Sequence, residues 1–592
     1  MASRPRRGLT RFIALAGMVF VLCSGCRTGE LNPAGDSAAT AAGGRAGTTA
    51  ANPIAPIART AAGVVVDESG PVPGAIVRAQ ATDRWVQADE NGNFVLGLDG
   101  LGLDPVHLTA WAEGYFCGGP VPASPGEQSL VLELHAHADQ DNPAYAWLPS
   151  TVQAGQGEDQ GCAACHSRQE SGPDITLPVD QWLEDAHSQT ASNPRFLTMY
   201  YGTNLAGEQS PPTRFASTRD YGALPIPPDP NQPYFGPGYK LDFPQSAGNC
   251  GACHLPAAAV NDAYGVDPGG VSGPEAEGIS CDFCHKVWNV QLDSETGLPQ
   301  DNMPGVLSLS FRRPSEGHQF FAGPYDDVAP GEDTYSPLQN ESAFCAACHY
   351  GVFWDTVIYN SFGEWLESPY SDPMTGRTCQ DCHMPHTGAT RFALESAGGL
   401  ERDPAGIFSH RMLGARDVDF LREGLAFSAS VSQTEARILV DVTLRNDNTG
   451  HNFPTDSPLR QLLLIVEAQD SSGRTLEQFD GPRLPSWAGE GTPSNGYYGG
   501  LPGKSYALVL EERWTGVSPT GAYWNPVRVL EDTRLGPFQV DKQQFQFADP
   551  DPGASVVHVR LVFRRAFIEL ADQKLWQHED LVLYDEVLQT GP

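Results

Sequence analysis

Five copies of one short pattern constrain this chain more than any other feature: Cys162-Ala-Ala-Cys165-His166, Cys250-Gly-Ala-Cys253-His254, Cys281-Asp-Phe-Cys284-His285, Cys345-Ala-Ala-Cys348-His349 and Cys379-Gln-Asp-Cys382-His383. Two thiols three residues apart can reach both vinyl groups of one porphyrin, and the imidazole of the next residue then points at its iron. Zinc ribbons and thioredoxin-like redox sites also use Cys-x-x-Cys units, but neither explains a His after every second Cys. Zinc would also need the units in pairs, and there are five. The pattern therefore predicts five covalently bound haem c groups, each with its iron on one of His166, His254, His285, His349 and His383. The motifs use ten of the 13 cysteines. Of the rest, Cys117 is expected to be buried and inert, and Cys23 and Cys26 belong to the N-terminus.

That N-terminus reads as an export signal. Arg4, Arg6, Arg7 and Arg11 precede an apolar run from Phe12 to Leu22, and small residues follow up to Cys26. The run is far shorter than the roughly 20 residues that span a bilayer, and no later segment is uniformly apolar over such a length, so no transmembrane helix is expected in the mature protein. Leu22-Cys23-Ser24-Gly25-Cys26 resembles a bacterial lipobox, with Cys23 where Leu is usual. The resemblance implies a lipoprotein-type signal peptide over 1–26 and a lipid anchor on Cys26; simple cleavage to an unanchored product is the alternative. The expected location is periplasmic or cell-surface, anchored to the outer membrane. The formal charge of −35 argues against nucleic acid, because phosphate contacts need clustered Lys and Arg. Redox partner proteins, other cytochromes or a terminal acceptor, are the expected partners, with the membrane reached only through the anchor.

The chain is long enough for several domains. Residues 27–58, rich in Ala, Gly and Pro, read as a linker. From 59 to 137 short alternating strands alternate with turns, at Gly63–Asp67, Ala75–Arg78, Asn93–Leu96, Leu108–Trp111 and Leu130–Leu134, which predicts a β-sandwich. Its segments Asp67-Glu68-Ser69-Gly70-Pro71-Val72-Pro73-Gly74-Ala75, Asp89-Glu90-Asn91-Gly92-Asn93-Phe94 and Glu113-Gly114-Tyr115 resemble the carboxypeptidase regulatory-like (transthyretin-like) domain, which implies a spacer or adhesion module without catalysis. Residues 138–424 hold all five motifs and little apolar periodicity, as expected of a mostly helical or irregular pentahaem domain whose core is porphyrin. Strand patterns return at Ala426–Val431, Ile438–Leu444, Leu462–Glu467 and Val556–Phe563, predicting a second β-sandwich over 425–592.

The haem region contains a duplication. Cys162-Ala-Ala-Cys165-His166 recurs as Cys345-Ala-Ala-Cys348-His349, and Trp182-Leu-Glu-Asp-Ala-His187-Ser188 recurs as Trp365-Leu-Glu-Ser-Pro-Tyr370-Ser371, both after 183 residues. The first copy has His187 where the second has Tyr370, so the Cys345 haem is the one expected to lack a histidine on its far side. An electron-carrying haem uses a second axial ligand. The candidates are His187, His410 in Ser409-His410-Arg411-Met412, His451 in Gly450-His451-Asn452-Phe453, and then His318 and His386. His107, His135, His137, His558 and His578 lie outside the haem segment and are expected to have no such role.

Gly278-Ile-Ser-Cys281-Asp-Phe-Cys284-His285-Lys286, Tyr359-Asn-Ser-Phe-Gly-Glu-Trp365 and Thr378-Cys379-Gln-Asp-Cys382-His383-Met384-Pro385 resemble the multihaem cytochromes grouped with the tetrahaem electron-transfer proteins of ammonia oxidisers, the cytochrome c-552/4-like family. The likeness covers roughly 138 to 455 and implies close-packed haems that pass single electrons. Structural relatives of that family include nitrite and hydroxylamine enzymes, so fold alone does not decide activity. Two functions stay open: an electron conduit with mostly bis-His haems, which the ligand count favours, and a reductase of a small nitrogen or sulfur oxyanion with one open iron. No Cys-x-x-Cys-Lys motif, typical of catalytic nitrite reductase haems, is present.

Overall fold

Period-two alternation between Thr60 and Glu133 folds into two four-stranded sheets. In the first, Thr60–Asp67 lies between Gly70–Pro71 and Asn93–Gly97 and also pairs in parallel with Leu130–Glu133. The second runs Trp85–Gln87, Ile76–Ala79, Val106–Trp111, Gly118–Ala123. Inward residues of both sheets, among them Val65, Phe94 and Leu132 from one and Val77 and Leu108 from the other, share one core. Gly118–Ala123 is invisible to a propensity argument because it carries Pro120 and Pro122; it is tolerated as an edge strand, where missing N–H donors cost no ladder bonds.

The computed structural model describes residues 59–590 except 103–104, 152–160, 173–174, 212, 214, 219–221, 330, 435, 550–552 and 579. The signal peptide, Cys26 and the 27–58 linker lie outside the described residues.

Beyond residue 424 two further sheets face one core. One orders Leu425–Gln433, Arg437–Asn446, Val540–Ala548 and Gln478–Asp480; the other orders Val527–Asp532, Gly503–Glu512, Gln461–Gln469, Val556–Arg564 and Asp580–Gln589. Val440, Val442, Leu444, Leu464, Phe545 and Phe563 meet between them. The strand Gln461–Gln469 is buried at nearly every position because both its faces are covered: Leu462, Leu464 and Val466 point into the inter-sheet core, and Leu463 and Ile465 pack with Leu484, Ala488 and Tyr498. Val540–Ala548 buries only Phe545 and Phe547 and is otherwise polar, so its sequence does not announce a strand.

Ala58–Pro592 forms one unit. Specific polar ties join the parts. Arg78 grips Asp326 through Nε at 2.6 Å and Nη2 at 2.9 Å, and Trp111 Nε1 donates to Thr334 Oγ1 at 3.1 Å. On the other side, Asp242 accepts from Trp524 Nε1 at 2.8 Å and Asn525 Nδ2 at 2.9 Å. Among the described residues no helix is long and apolar enough to cross a membrane.

Inside the central segment sits a buried ion pair, Lys286 Nζ to Asp282 Oδ1 at 2.5 Å, with both side chains fully buried. Asp282 Oδ2 also accepts from Tyr145 Oη at 3.0 Å and Leu148 N at 2.9 Å, and the ammonium lies 3.9 Å from the Phe321 ring centre. Every charge in this cluster therefore has a partner. Cys117 is 5 % exposed; burial first, then the nearby Asp333, Asp326 and Asp327, push its thiol up, which suits an inert side chain.

Candidate haem centres

Each motif folds as a short helical turn: Ala163–His166, Gly251–His254, Cys281–Cys284, Ala343–His349 and Cys379–His383. Residues i, i+3 and i+4 share one face of such a turn, so both thiols and the imidazole project together. The Cys379 turn opens with a capping box between Thr378 and Asp381, which fixes its start. All ten motif cysteines and all five motif histidines line one cavity of about 2350 Å³, well beyond the roughly 300–1,000 Å³ of an ordinary small-molecule pocket. Thiols of different motifs meet there. Cys162 interacts with Cys281, Cys253 with Cys348, and Cys345 with Cys379.

The donor chemistry fits haem iron. A ligating imidazole normally donates its second N–H to a fixed acceptor, which leaves the other nitrogen free for metal. Nδ1 of His166 meets Phe392 O at 2.6 Å, that of His285 meets Ala322 O at 2.7 Å, and that of His383 meets Leu413 O at 2.6 Å. A carbonyl can only accept, so these rings carry their hydrogen on Nδ1 and offer Nε2. Burial pushes His254 and His383 down to about 4, keeping both neutral as metal ligation requires. His254 differs in one respect: its buried Nδ1 has no hydrogen-bond partner among the described residues, and its ring stacks on Phe196 at 3.9 Å with 2° between planes.

Two non-motif histidines stand across from motif histidines. The His187 and His349 ring centres are 6.3 Å apart, and those of His451 and His383 are 6.2 Å apart. A metal–imidazole bond of about 2 Å on each side, with roughly 1.1 Å from nitrogen to ring centre, spans about 6.3 Å. Both separations accommodate one iron. His410 also lines the cavity; burial, then His285 and His166, push it down to about 4.

Two further histidine candidates, His318 and His386, sit apart from the cavity wall. His318 is 62 % exposed and bonds Glu332 at 2.7 Å; His386 bonds Ile407 O at 3.0 Å and packs on Phe408. Neither side chain is on the cavity wall, because one sits at an exposed turn and the other is held by a bridge to the Phe408 backbone. Tyr370 lines the cavity, packing on Phe538 and against Gly450, and His187 from the first repeat has its ring centre 6.3 Å from that of His349. Sequence position within a repeat does not tell which site a side chain crosses to.

Several wall residues were not anticipated. His107 reaches the cavity from the outward face of Val106–Trp111; alternation marks that face as outward without saying what covers it. Arg195, Arg416, Arg460 and Arg565 also line the cavity. Burial, then the other three arginines, lower Arg565 to about 9, so anionic groups such as haem propionates suit them. Glu364 accepts from Asn452 N at 3.0 Å, Asn452 Nδ2 at 2.9 Å, Thr455 Oγ1 at 2.6 Å and Arg534 Nη1 at 2.7 Å, pinning the loop that carries His451 and Asp456. Glu364→Ala should lower unfolding stability by about 3 kcal/mol, since it strips a buried charge network of its centre; thermal denaturation unchanged from the parent would refute this role.

No family model matches the sequence, and no curated protein matches it. Among solved structures, the penta-heme cytochrome c552 from Thermochromatium tepidum is similar at 18 % identity and a TM-score of 0.47, spanning 72 % of this chain and 97 % of that one.

Proposed function

We propose that this protein is a multihaem c-type cytochrome with five covalently bound haems that carries single electrons in an extracytoplasmic respiratory chain. The observation that carries the reading is the convergence of all five motifs on one cavity, with His187 and His451 facing motif imidazoles at single-iron spacing. Bound haem supplies iron that alternates between ferric and ferrous. The protein's own residues do the rest. The cysteine pairs would fix each porphyrin, and the motif histidines together with His187, His451 and His410 would hold the irons. Trp182, Phe283, Phe362 and Trp365 on the wall exclude water. The thiol contacts keep neighbouring attachment points close: the first motif beside the third, and the fourth beside both the second and the fifth.

Export, a lipid anchor on Cys26 and redox partner proteins complete the reading and rest on the N-terminal sequence and the charge of −35. The N-terminal sheets would act as the spacer that their regulatory-like motifs imply.

A reductase of a small nitrogen or sulfur oxyanion is the second reading, favoured by the cavity arginines Arg195, Arg416, Arg460 and Arg565, which would draw an anion into an otherwise acidic protein. Carbon monoxide or nitrite binding to the reduced protein would support it; uniformly low-spin haems that bind neither would eliminate it.

The main reading is tested by haem content. Pyridine haemochrome assay and intact mass should give five covalent haems per chain, and fewer, or zinc in their place, would overturn it.

A further inference from the structure

The imidazoles on the cavity wall differ in what meets their second ring nitrogen. For His166, His285, His383 and His451 it is a neutral backbone carbonyl, at 2.6, 2.7, 2.6 and 3.0 Å. For His187 it is the Asp185 carboxylate at 2.6 Å, and for His349 the Asp456 carboxylate at 3.7 Å, a charge contact rather than a hydrogen bond. These two rings are the pair whose centres lie 6.3 Å apart. One site thus has a carboxylate behind both imidazoles, and its neighbour, with His383 and His451, has a carbonyl behind both.

The difference has an electronic consequence. A carboxylate pulls on the imidazole N–H and makes the ring a stronger donor, and its full negative charge favours ferric over ferrous iron by Coulomb attraction. Solvent does little to weaken this, because the Asp185 and Asp456 side chains are 3 % and 18 % exposed. Both are held in place. Asp185 also accepts the backbone N–H of His187 at 2.8 Å and of Met412 at 3.0 Å. Asp456 sits in the loop pinned by Glu364, and Arg460, 3.7 Å from its Oδ2, offsets part of its charge.

We propose that Asp185 and Asp456 are potential-setting residues that hold the iron between His187 and His349 ferric relative to the iron between His383 and His451. Cys348 lies near Cys253 of the second motif and Cys345 near Cys379 of the fifth, so this site neighbours both. The reaction concerned is one-electron reduction of ferric to ferrous iron, with no bond made or broken. The inference rests on the proposed sharing of one iron by His187 and His349.

The test is spectroelectrochemical titration of the five-haem protein alongside its electron paramagnetic resonance spectrum, for the parent, Asp185→Asn, Asp456→Asn and the double variant. Each single variant should keep every low-spin signal and move one wave to higher potential. The ferrous-to-ferric ratio at fixed potential should rise about tenfold, which is about 59 mV for one electron, and further in the double variant. Waves that stay in place with low-spin spectra intact would overturn the proposal, and so would loss of a low-spin signal, which would make the aspartates structural supports. His187→Ala separates this from the underlying reading. It should turn one iron high-spin, the same one whose wave the aspartate variants shift; a spectrum with every low-spin signal of the parent intact would refute the shared iron itself.

Discussion

Replacing His451 by alanine is expected to turn one ferric iron from low-spin to high-spin while all five haems stay covalently attached. The His451 ring lies 6.2 Å from that of His383 with 22° between planes, and its Nδ1 is engaged by Asn452 O at 3.0 Å, leaving Nε2 to face inward. Alanine would remove the proposed second ligand and the bond to Asn452 O, while the motif His383 keeps its own hydrogen bond to Leu413. The measurement is the ferric absorption and magnetic resonance spectrum, with one low-spin signal lost and the others retained. Added imidazole should restore the missing signal by occupying the opened position. A variant with every low-spin signal intact would remove His451 from the ligand set.

The largest effect on stability is expected from Lys286→Met. Methionine leaves Asp282 buried and uncompensated, with only Tyr145 and Leu148 as neutral donors. Removing one partner of such a pair costs about 3–5 kcal/mol, whereas replacing both partners is often neutral. Lys286→Met should therefore show a markedly lower midpoint in thermal unfolding of the haem-loaded protein, and Asp282→Asn combined with Lys286→Met should recover much of the loss. Equal stability of the single variant and the parent would mean that solvent reaches the pair.

The parts of this protein readable from sequence are those governed by local chemistry. The motifs declare themselves because attachment to one porphyrin demands Cys, Cys and His at i, i+3 and i+4. Strands such as Ile438–Leu444 and Leu462–Glu467 stand out because burial forces apolar residues into register. Val540–Ala548 does not, because a strand with one solvated face and two buried aromatics carries almost no pattern. Ligand pairing was unreadable for a different reason. His187 lies 21 residues after His166 in sequence but faces His349, a relation set by how the motif turns pack. Asp185, two residues before His187, could have been noticed as its acceptor. Asp456 could not, since only the tertiary fold brings the C-terminal loop to His349.

That loop also sets an order in time. A chain made from its N-terminus contains all five attachment motifs before residues 451 and 456 exist. If His451 faces the same iron as His383, as proposed, a haem attached at Cys379 and Cys382 would have only the His383 imidazole as a protein ligand until residues 450–456 fold into place. On that reading, maturation of this site would end with folding rather than with thioether formation, and a chain arrested before residue 451 would carry all five attachment motifs but lack the His451 ligand.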